Sequence, residues 1–390
     1  MAPGLLTRTF VILSCAASLT GCGALPSAGP LAMDVVNQEA QQNEIGGYVL
    51  IDINERVAAI CAAQPHASLR RVFHDTRPAP DLRIGIGDTV SVTIWEAGPG
   101  GLFSASANTI NAGARTATIP QQIVSRDGTI TIPYAGRVKV AGLRPVDVEN
   151  EIVKRLQGKA IEPQAVVTIS RSFSNGVTVT GEVTHGARIP LNVKGERLLD
   201  IIAEAGGLQA PAYESFIRLT RNGRTASIPF NRILSDPREN IFARPNDAVT
   251  VVRDPQTFTA FGGTGRNASI PFDAAGISLD EAIAKAGGLV STQADAAGVF
   301  LLRFEPKGLV AQLLPERNFP PEQKWVSVVY RLNLRNANSF FLARSFQIRN
   351  KDILYVADSP STPVEKVLRL VGNITGPVVA GAAVYNATIK

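Results

Sequence analysis

The sequence of 390 residues predicts an α+β protein: a β-rich domain, then two copies of one mixed module, then a C-terminal amphipathic helix. Three observations predict this organisation: strand-like alternation in the first domain, a segment that recurs after 81 residues, and a long uncharged C-terminal stretch. Hydrophobic residues make up 45% and charged residues 18% of the chain. This composition is typical of an ordered globular protein.

The N-terminus has the pattern of an export signal. Residues 1–21 carry one charged side chain, Arg8, and then an apolar run that is too short to span a bilayer as a mature helix. The run ends in LTGC, which resembles the bacterial lipobox, where the thiol of the cysteine receives a diacylglycerol group. We therefore predict that Cys22 is lipidated, the alternative being a secreted protein with a chance cysteine. Gly23 follows it, which by resemblance to sorted lipoproteins favours the outer membrane.

The first domain is predicted from two stretches. DLRIGIGDTVSVTIWEAG, at 81–98, alternates apolar and polar residues as a half-buried strand does. In the second stretch, 125–156, Asp127-Gly128 and residues 133–136 have the composition of turns. Pro145 can then open a helix whose apolar side includes Val148, Ile152 and Leu156.

A module of the chain occurs twice. VTVTGEVTHGARIPLNVKGERLLDIIAEAGGL at 177–208 aligns with FTAFGGTGRNASIPFDAAGISLDEAIAKAGGL at 258–289, so that Pro190 pairs with Pro271. Each copy predicts a strand, a turn, a short strand, and a helix that ends at Gly-Gly. A β-rich arm follows, and the copies close on related strands in PNDAVTVV and NKDILYV. GIGDTVSVTIW in the first domain is related to these closing strands.

The glycines of GGTGRN, at 262–267, suggest a phosphate-binding loop when taken alone. A dinucleotide fingerprint needs its third glycine at the start of a helix, whereas these glycines lead into an extended segment that ends at Pro271. The first copy has Glu182 and His185 where a phosphate would approach. We therefore predict a tight turn between two strands and no nucleotide cofactor.

The C-terminal residues 370–389 carry no charge. As a helix they would reach about 30 Å, the thickness of the hydrocarbon core of a bilayer. A closed ring of such helices could turn an apolar stripe towards lipid and a polar face towards a water-filled channel. A terminal helix packed on its own domain, or lying in the membrane surface, is the alternative. The predicted membrane-facing stripe consists of Val367, Val371, Ile374, Val378, Ala382, Tyr385 and Ile389.

In this order, the segments resemble the polysaccharide export sequence domain and the two soluble-ligand-binding β-grasp (SLBB) modules of Wza-like outer-membrane polysaccharide export lipoproteins. The resemblance covers nearly all of residues 22–390. The domains expected from it are a signal peptide (1–21), a lipidated N-terminal linker with the first elements (22–80), the export sequence domain (81–175), two SLBB modules (176–256 and 257–358), and the C-terminal amphipathic, transmembrane helix (359–390).

The resemblance implies a subunit of a channel that exports capsular or extracellular polysaccharide, anchored by lipid in the outer membrane with a large periplasmic portion. It further implies a homo-oligomeric ring, of eight subunits in the family, and an inner-membrane polysaccharide copolymerase as a partner. Nucleic acid is not expected as a partner. A periplasmic lipoprotein that binds glycan or peptidoglycan without a pore is the alternative function.

A basic stretch near the C-terminus is the candidate contact with the polymer. Residues 303–351 contain nine Lys or Arg residues and three Glu residues. In YRLNLRN, we expect Arg331, Asn333 and Arg335 to share one strand face that lines the channel and attracts an acidic polysaccharide. A contact with another subunit or with membrane headgroups is the alternative.

Motifs of catalysis and metal binding are missing from the sequence. The chain has no G-x-S-x-G, H-E-x-x-H, C-x-x-C or P-loop pattern, and its histidines, His66, His74 and His185, lack the spacing of metal ligands. We therefore expect no enzyme activity, no catalytic residues, no cofactor and no metal. Cys61 lies in the apolar segment VAAICAA, where burial is expected rather than an intermolecular disulfide.

Overall fold

The computed structural model describes residues 29–41, 47–64, 67–74, 77–78, 83–97, 102 and 115–360. The chain divides into two compact units, one of residues 66–255 and one that joins residues 1–65 to residues 256–390. Within the described residues, no helix combines the length and the apolar character that a membrane crossing requires. Cys22 and the predicted membrane-facing stripe, from Val367 to Ile389, lie outside the described residues.

Much of the segment predicted as an N-terminal linker with the first elements has regular structure. Side chains cap two of its helices, since Asn54 accepts the N–H of Val57 at 2.9 Å and Ser68 accepts that of Arg71 at 3.2 Å. Part of this segment is a strand of the second module's sheet, which was not predicted from the sequence. The elements are α1 (Ala32–Gln41), β1 (Val49–Asp52), α2 (Glu55–Ala62) and α3 (Leu69–Phe73).

The first domain is a three-stranded antiparallel sheet with a helix and a hairpin. Its central strand buries alternate residues, as predicted, and the predicted helix buries Val148, Ile152 and Leu156. The sheet has the order β3-β2-β6, and β4 pairs with β5. The elements are β2 (Thr89–Glu96), β3 (Arg115–Ile123), β4 (Thr129–Ile132), β5 (Gly136–Lys139), α4 (Pro145–Leu156) and β6 (Gln164–Arg171).

The first repeated module has a β-grasp arrangement. Its elements are β7 (Gly176–Gly181), β8 (Ala187–Pro190), α5 (Leu198–Glu204), β9 (Ser215–Arg221), β10 (Arg224–Pro229), α6 (Phe230–Ser235) and β11 (Ala248–Arg253). The sheet has the order β10-β9-β11-β7-β8. At its centre β11, the last strand of the module in the chain, is parallel to β7, the first. Leu198, Ile201 and Ile202 of α5 enter the same hydrophobic core as Val177 and Val179 of β7.

The second module repeats this plan and enlarges it. Its elements are β12 (Gln256–Gly262), β13 (Ala268–Phe272), β14 (Ile277–Ser278), α7 (Leu279–Lys285), β15 (Ala294–Pro306), α8 (Lys307–Leu313), β16 (Trp325–Leu332), α9 (Asn338–Ser345), β17 (Gln347–Ile348) and β18 (Ile353–Asp358). The sheet has the order β1-β16-β15-β18-β12-β13. Strand β18 is parallel to β12, as β11 is to β7, and β1 of the N-terminal segment pairs in parallel with β16.

The glycines of GGTGRN lie in a turn between two strands, as predicted. Strands β12 and β13 form an antiparallel pair, and Gly262 has a φ of +86°. A Cβ on Gly262 would lie 2.0 Å from the carbonyl oxygen of Val356, and one on Gly181 would lie 2.0 Å from that of Val251. Only glycine therefore fits where the first strand of each module meets the last.

The three related strands all begin after the same turn. In each case an aspartate side chain accepts the N–H of the residue three positions earlier, and the residue just before the aspartate has a positive φ. This hydrogen bond closes the turn locally, which explains why the signal recurs in the sequence. The aspartates and their donors are Asp88 with Gly85 at 2.8 Å, Asp247 with Arg244 at 2.8 Å and Asp352 with Arg349 at 2.7 Å; the preceding residues are Gly87, Asn246 and Lys351.

Candidate functional site

The predicted basic residues do not share one strand face, so that expectation was wrong. Strand β16 ends at Leu332, and only Arg331 lies within it. The side chain of Asn333 accepts the N–H of Arg335 at 3.0 Å, which forms a turn and ends the strand. Asn333 and Arg335 therefore lie in the turn that follows β16.

Both arginines of this stretch bind carboxylates of their own unit. Arg331 donates from Nη2 to Asp52 on β1 at 2.7 Å, and this hydrogen bond raises the pKa of Arg331. Arg335 donates from Nη2 to Asp295 at 2.8 Å. Part of the positive charge that the sequence suggested is thus compensated by carboxylates of the same unit. Arg331 forms an ion pair between β16 and the N-terminal strand β1.

A buried ionic network lies inside the second module. Arg303 donates from Nε to Asp352 at 2.8 Å, and Arg349 donates from Nη1 to Glu305 at 2.7 Å. Burial by itself lowers the pKa of Arg303, but the hydrogen bonds and charge of Asp352 and the charge of Glu305 outweigh it and raise that pKa. Burial, and then the charge of Glu305, raise the pKa of Tyr330, whose hydroxyl lies 3.1 Å from Glu305.

The first module contains a smaller version of this network, which indicates a structural role. Arg221 donates from Nε to Asp247 at 2.9 Å and from Nη2 to the carbonyl of Phe242 at 2.8 Å. Arg303 makes the corresponding bond from Nη2 to the carbonyl of Gln347 at 2.8 Å. In both modules a buried arginine therefore holds the turn that precedes the last strand.

Cys61 is half-buried rather than fully buried. Its Sγ lies 3.7 Å from the hydroxyl oxygen of Tyr330, at the edge of the core of the second module. Burial raises the pKa of the Cys61 thiol, although the hydrogen bond with Tyr330 acts in the opposite direction. A thiol in this setting is a weak nucleophile.

The unit of residues 66–255 has a cleft of about 860 Å³ beside the edge strands β6 and β8. Arg171 and Arg188 line it together with Phe173, which is exposed. Arg188 donates from Nε to the carbonyl of Phe173 at 2.9 Å and so holds the loop between the two domains of this unit.

The outer face of the second module's sheet, opposite its main core, carries two further clefts. One has a volume of about 590 Å³ and is lined by Phe304 and Trp325, and the other has a volume of about 640 Å³ and is lined by Phe261 and Tyr355. We call them together the outer-face groove because they share four lining residues: Tyr48, Leu302, Val329 and Ile353. This groove was not predicted from the sequence. One feature of the sequence did indicate it: Phe304 and Trp325 each lie next to polar residues, in strands whose other residues have the apolar pattern of buried strands.

In the described ranges, no group of three or more His, Cys, Asp or Glu side chains is placed to hold a metal ion.

Comparison with known families and proteins gives consistent matches along the chain. The model of the polysaccharide biosynthesis/export protein family matches residues 76–170, and SLBB domain models match residues 177–229 and 256–356. The capsule polysaccharide export outer membrane protein CtrA of Neisseria meningitidis serogroup B is 35% identical over 97% of this chain and 97% of its own length. The capsule polysaccharide export protein BexD of Haemophilus influenzae is 35% identical over 92% of this chain and 93% of its own. The Vi polysaccharide export protein VexA/TviF of Salmonella typhi is 26% identical over 72% of this chain and 75% of its own.

An export domain followed by two β-grasp modules defines the class of this protein, a polysaccharide export protein with SLBB domains. The 35% sequence identity with CtrA and BexD, over nearly the whole chain, identifies the family more narrowly. The chain belongs to the family of capsule polysaccharide export outer membrane proteins, and the predicted resemblance is confirmed.

Proposed function

We propose that this protein is a subunit of an oligomeric channel through which capsular polysaccharide leaves the cell across the outer membrane. The observation that carries the proposal is the 35% identity, over 97% of both chains, with a protein named for capsule polysaccharide export at the outer membrane. The relatives are named as export proteins rather than enzymes, which supports a role in transport without catalysis.

The arrangement of the second module supports attachment to the membrane at both ends of the chain. The hydroxyl of Tyr355 donates to the carbonyl of Pro30 at 2.6 Å, so the first and last described segments lie side by side. Gly29 lies seven positions after Cys22, and Val367 lies seven positions after Pro360. A fully extended segment of that length spans at most about 25 Å. A lipid on Cys22 and a membrane helix that includes Val367 would therefore both hold the second module close to the outer membrane.

The C-terminal segment is proposed to form the membrane channel together with its copies in the other subunits. The stripe of Val367, Val371, Ile374, Val378, Ala382, Tyr385 and Ile389 would face lipid, and the opposite side would face the lumen. A ring of helices satisfies every backbone polar group internally, as a bilayer requires. Pro377 would kink the helix, and neighbouring helices would offset the lost hydrogen bond.

The proposed partners follow from this role. The ring would contain eight subunits, and an inner-membrane polysaccharide copolymerase would open or feed it. The transported chain would be an acidic polysaccharide, since the protein has a net charge of +6. The contacts of Arg331 and Arg335 with Asp52 and Asp295 reduce their contribution to this attraction, and Asn333 adds no charge.

Deletion of the gene tests the proposal. We expect the deletion strain to lose surface polysaccharide and to retain the polymer inside the cell, and the wild-type gene to restore export. A variant without residues 364–390 should keep the fold and the lipid but fail to restore export. Images of the detergent-extracted protein should show a ring. Surface polysaccharide at the wild-type level in the deletion strain, or a monomer in detergent, would contradict the proposal.

A further inference from the structure

We propose that the outer-face groove of the second module binds the transported polysaccharide, and that it selects acidic chains. This inference rests on the proposed function and adds to it a site, with residues that can be tested one by one. The groove lies wholly within one compact unit and is built from β15, β16, β18 and β12 together with Tyr48 and part of α1, where Val35 and Gln38 line the cleft that contains Tyr355.

Aromatic side chains give the groove surfaces on which sugar rings can stack. Phe304 is 72% exposed and Trp325 is 59% exposed. In the ladder of β15 and β16, Phe304 pairs with Ser327 and Pro306 pairs with Trp325. Phe304 and Trp325 are therefore diagonal neighbours on one face, at a typical Cα separation of about 7–8 Å. The C–H face of a pyranose ring carries partial positive charge and packs against the electron-rich face of such rings.

The charges around these aromatic residues favour an anionic ligand. Arg349 and Lys351 line the cleft that contains Trp325, and Asn350 and Ser327 add polar groups. Among the described residues that line the two clefts, the only carboxylate is that of Asp352, which is 1% exposed and bound to Arg303. Arg349 is paired with Glu305 at 2.7 Å, so the accessible positive charge of the groove is that of Lys351, which complements the carboxylates of an acidic glycan.

The shape of the groove favours a chain molecule over a bilayer surface or a small ligand. Its lining runs from Trp325 on β16 to Phe261 on β12, and β12 is the third strand beyond β16 in the sheet. At the usual spacing of strands this is about 14 Å. A flat membrane would contact the rim of such a groove, whereas an extended oligosaccharide can follow its floor. A second copy of this chain is the competing occupant, and the experiment below separates the two.

The test is calorimetric titration of the full-length, detergent-solubilised protein with three probes. The first is hexagalacturonate, the second is maltohexaose as a neutral chain of equal length, and the third is a set of oligosaccharides cut from the surface polysaccharide of the strain that carries the gene. We expect the acidic probes to bind at least about tenfold more tightly than maltohexaose at low salt and to lose this preference as salt rises.

Three variants assign the binding to the groove. Trp325→Ala removes a stacking surface and should weaken binding of the acidic probes about tenfold. Lys351→Asn should weaken it by about threefold or more and reduce its salt dependence. Asn suits this position because Lys351 has a φ of +69° and the corresponding residue of the first module is Asn246. Phe341→Ala is the matched control, since Phe341 is 73% exposed but lies outside the groove, and it should bind as the wild type does.

Several outcomes would overturn the inference. The groove is not the site if the acidic probes fail to bind, or if Trp325→Ala binds them as tightly as the wild type does. If Trp325→Ala leaves binding unchanged but makes the oligomer smaller, the face is a contact between subunits. These results can be told apart from a failure of the proposed function. A Trp325→Ala protein that binds normally and restores export overturns only the assignment of the groove. A deletion strain that still exports polysaccharide overturns the proposed function.

Discussion

Replacement of Gly262 by alanine tests the claim that only glycine fits in the turn that opens the second module. The new Cβ would lie 2.0 Å from the carbonyl oxygen of Val356, where ordinary contact begins at 3.4 Å. The two strands must therefore separate by more than 1 Å at a point where they pair in register. The hydrogen bond from Gly263 N to Val356 O, at 2.8 Å, would be strained or lost.

The expected cost has three parts. Alanine at a positive φ costs about 1–2 kcal/mol. Overpacking against the Val356 carbonyl adds about 1–3 kcal/mol. The strained hydrogen bond adds about 1 kcal/mol. We therefore expect Gly262→Ala to lower the free energy of unfolding of the second module by about 3–6 kcal/mol.

Gly288→Ala is the matched control for the backbone term. Gly288 has a φ of +71°, but nothing lies within 4 Å of a Cβ built on it. This variant should lose only about 1–2 kcal/mol. Thermal unfolding followed by the fluorescence of Trp325, in a Trp95→Phe background, reports on the second module. Its midpoint should fall by roughly 10 °C in Gly262→Ala and by less than half of that in Gly288→Ala. Equal shifts in the two variants would refute the steric argument.

Three further predictions concern ionic contacts and the thiol. Asp247→Ala leaves Arg221 buried without its carboxylate and should cost about 3–5 kcal/mol in chemical unfolding; a loss below about 1 kcal/mol would show that the pair does not hold the turn. Asp52→Ala breaks an exposed pair with Arg331 and should cost less than about 1 kcal/mol in the same assay, because β1 remains paired with β16; a larger loss would show that the ion pair holds β1 in place. In a background in which Cys15 and Cys22 are replaced by alanine, iodoacetamide should modify Cys61 more slowly at pH 8 than in the unfolded chain, because a raised pKa leaves less thiolate at a given pH. Tyr330→Phe should slow the reaction further, since the Tyr330 hydrogen bond lowers that pKa; faster modification would contradict the assigned contact.

The sequence predicted those features of the fold that local chemistry determines. The repeat, its Gly-Gly helix stops, the hairpin at Gly262 and the three related strands all depend on residues close together in the chain. Gly206 and Gly287, for example, have φ values of +85° and +83°, as their position after a helix predicts. The turn before each related strand is closed by one aspartate only three residues from its donor.

Pairings between distant segments could not be predicted in the same way. Strand β1 joins β16 across about 280 residues, and its short apolar sequence is as compatible with a helix or a linker as with a strand. The contact of Arg331 with Asp52 depends on that pairing, so the sequence alone did not show that the charge of Arg331 is paired with a carboxylate. The outer-face groove was missed for a related reason: alternation shows that Phe304 and Trp325 share a face, but not whether another element covers that face.

The pairing of β1 with β16 also explains how the N-terminal and C-terminal segments can both lie close to the second module. Without this pairing and the packing of Val35 and Val57 in the cores of the module, the 44 residues from Cys22 to His66 could extend for roughly 150 Å, and a lipid at Cys22 would barely restrict the position of the protein. With β1 in the sheet and Pro30 bound to Tyr355, the distance from Cys22 to Gly29 can be at most about 25 Å, the length of a fully extended segment of seven residues. The same sheet leads directly to the C-terminal segment through β18. Under the proposed function, a force on either membrane attachment is therefore transmitted to the sheet whose outer face carries the groove.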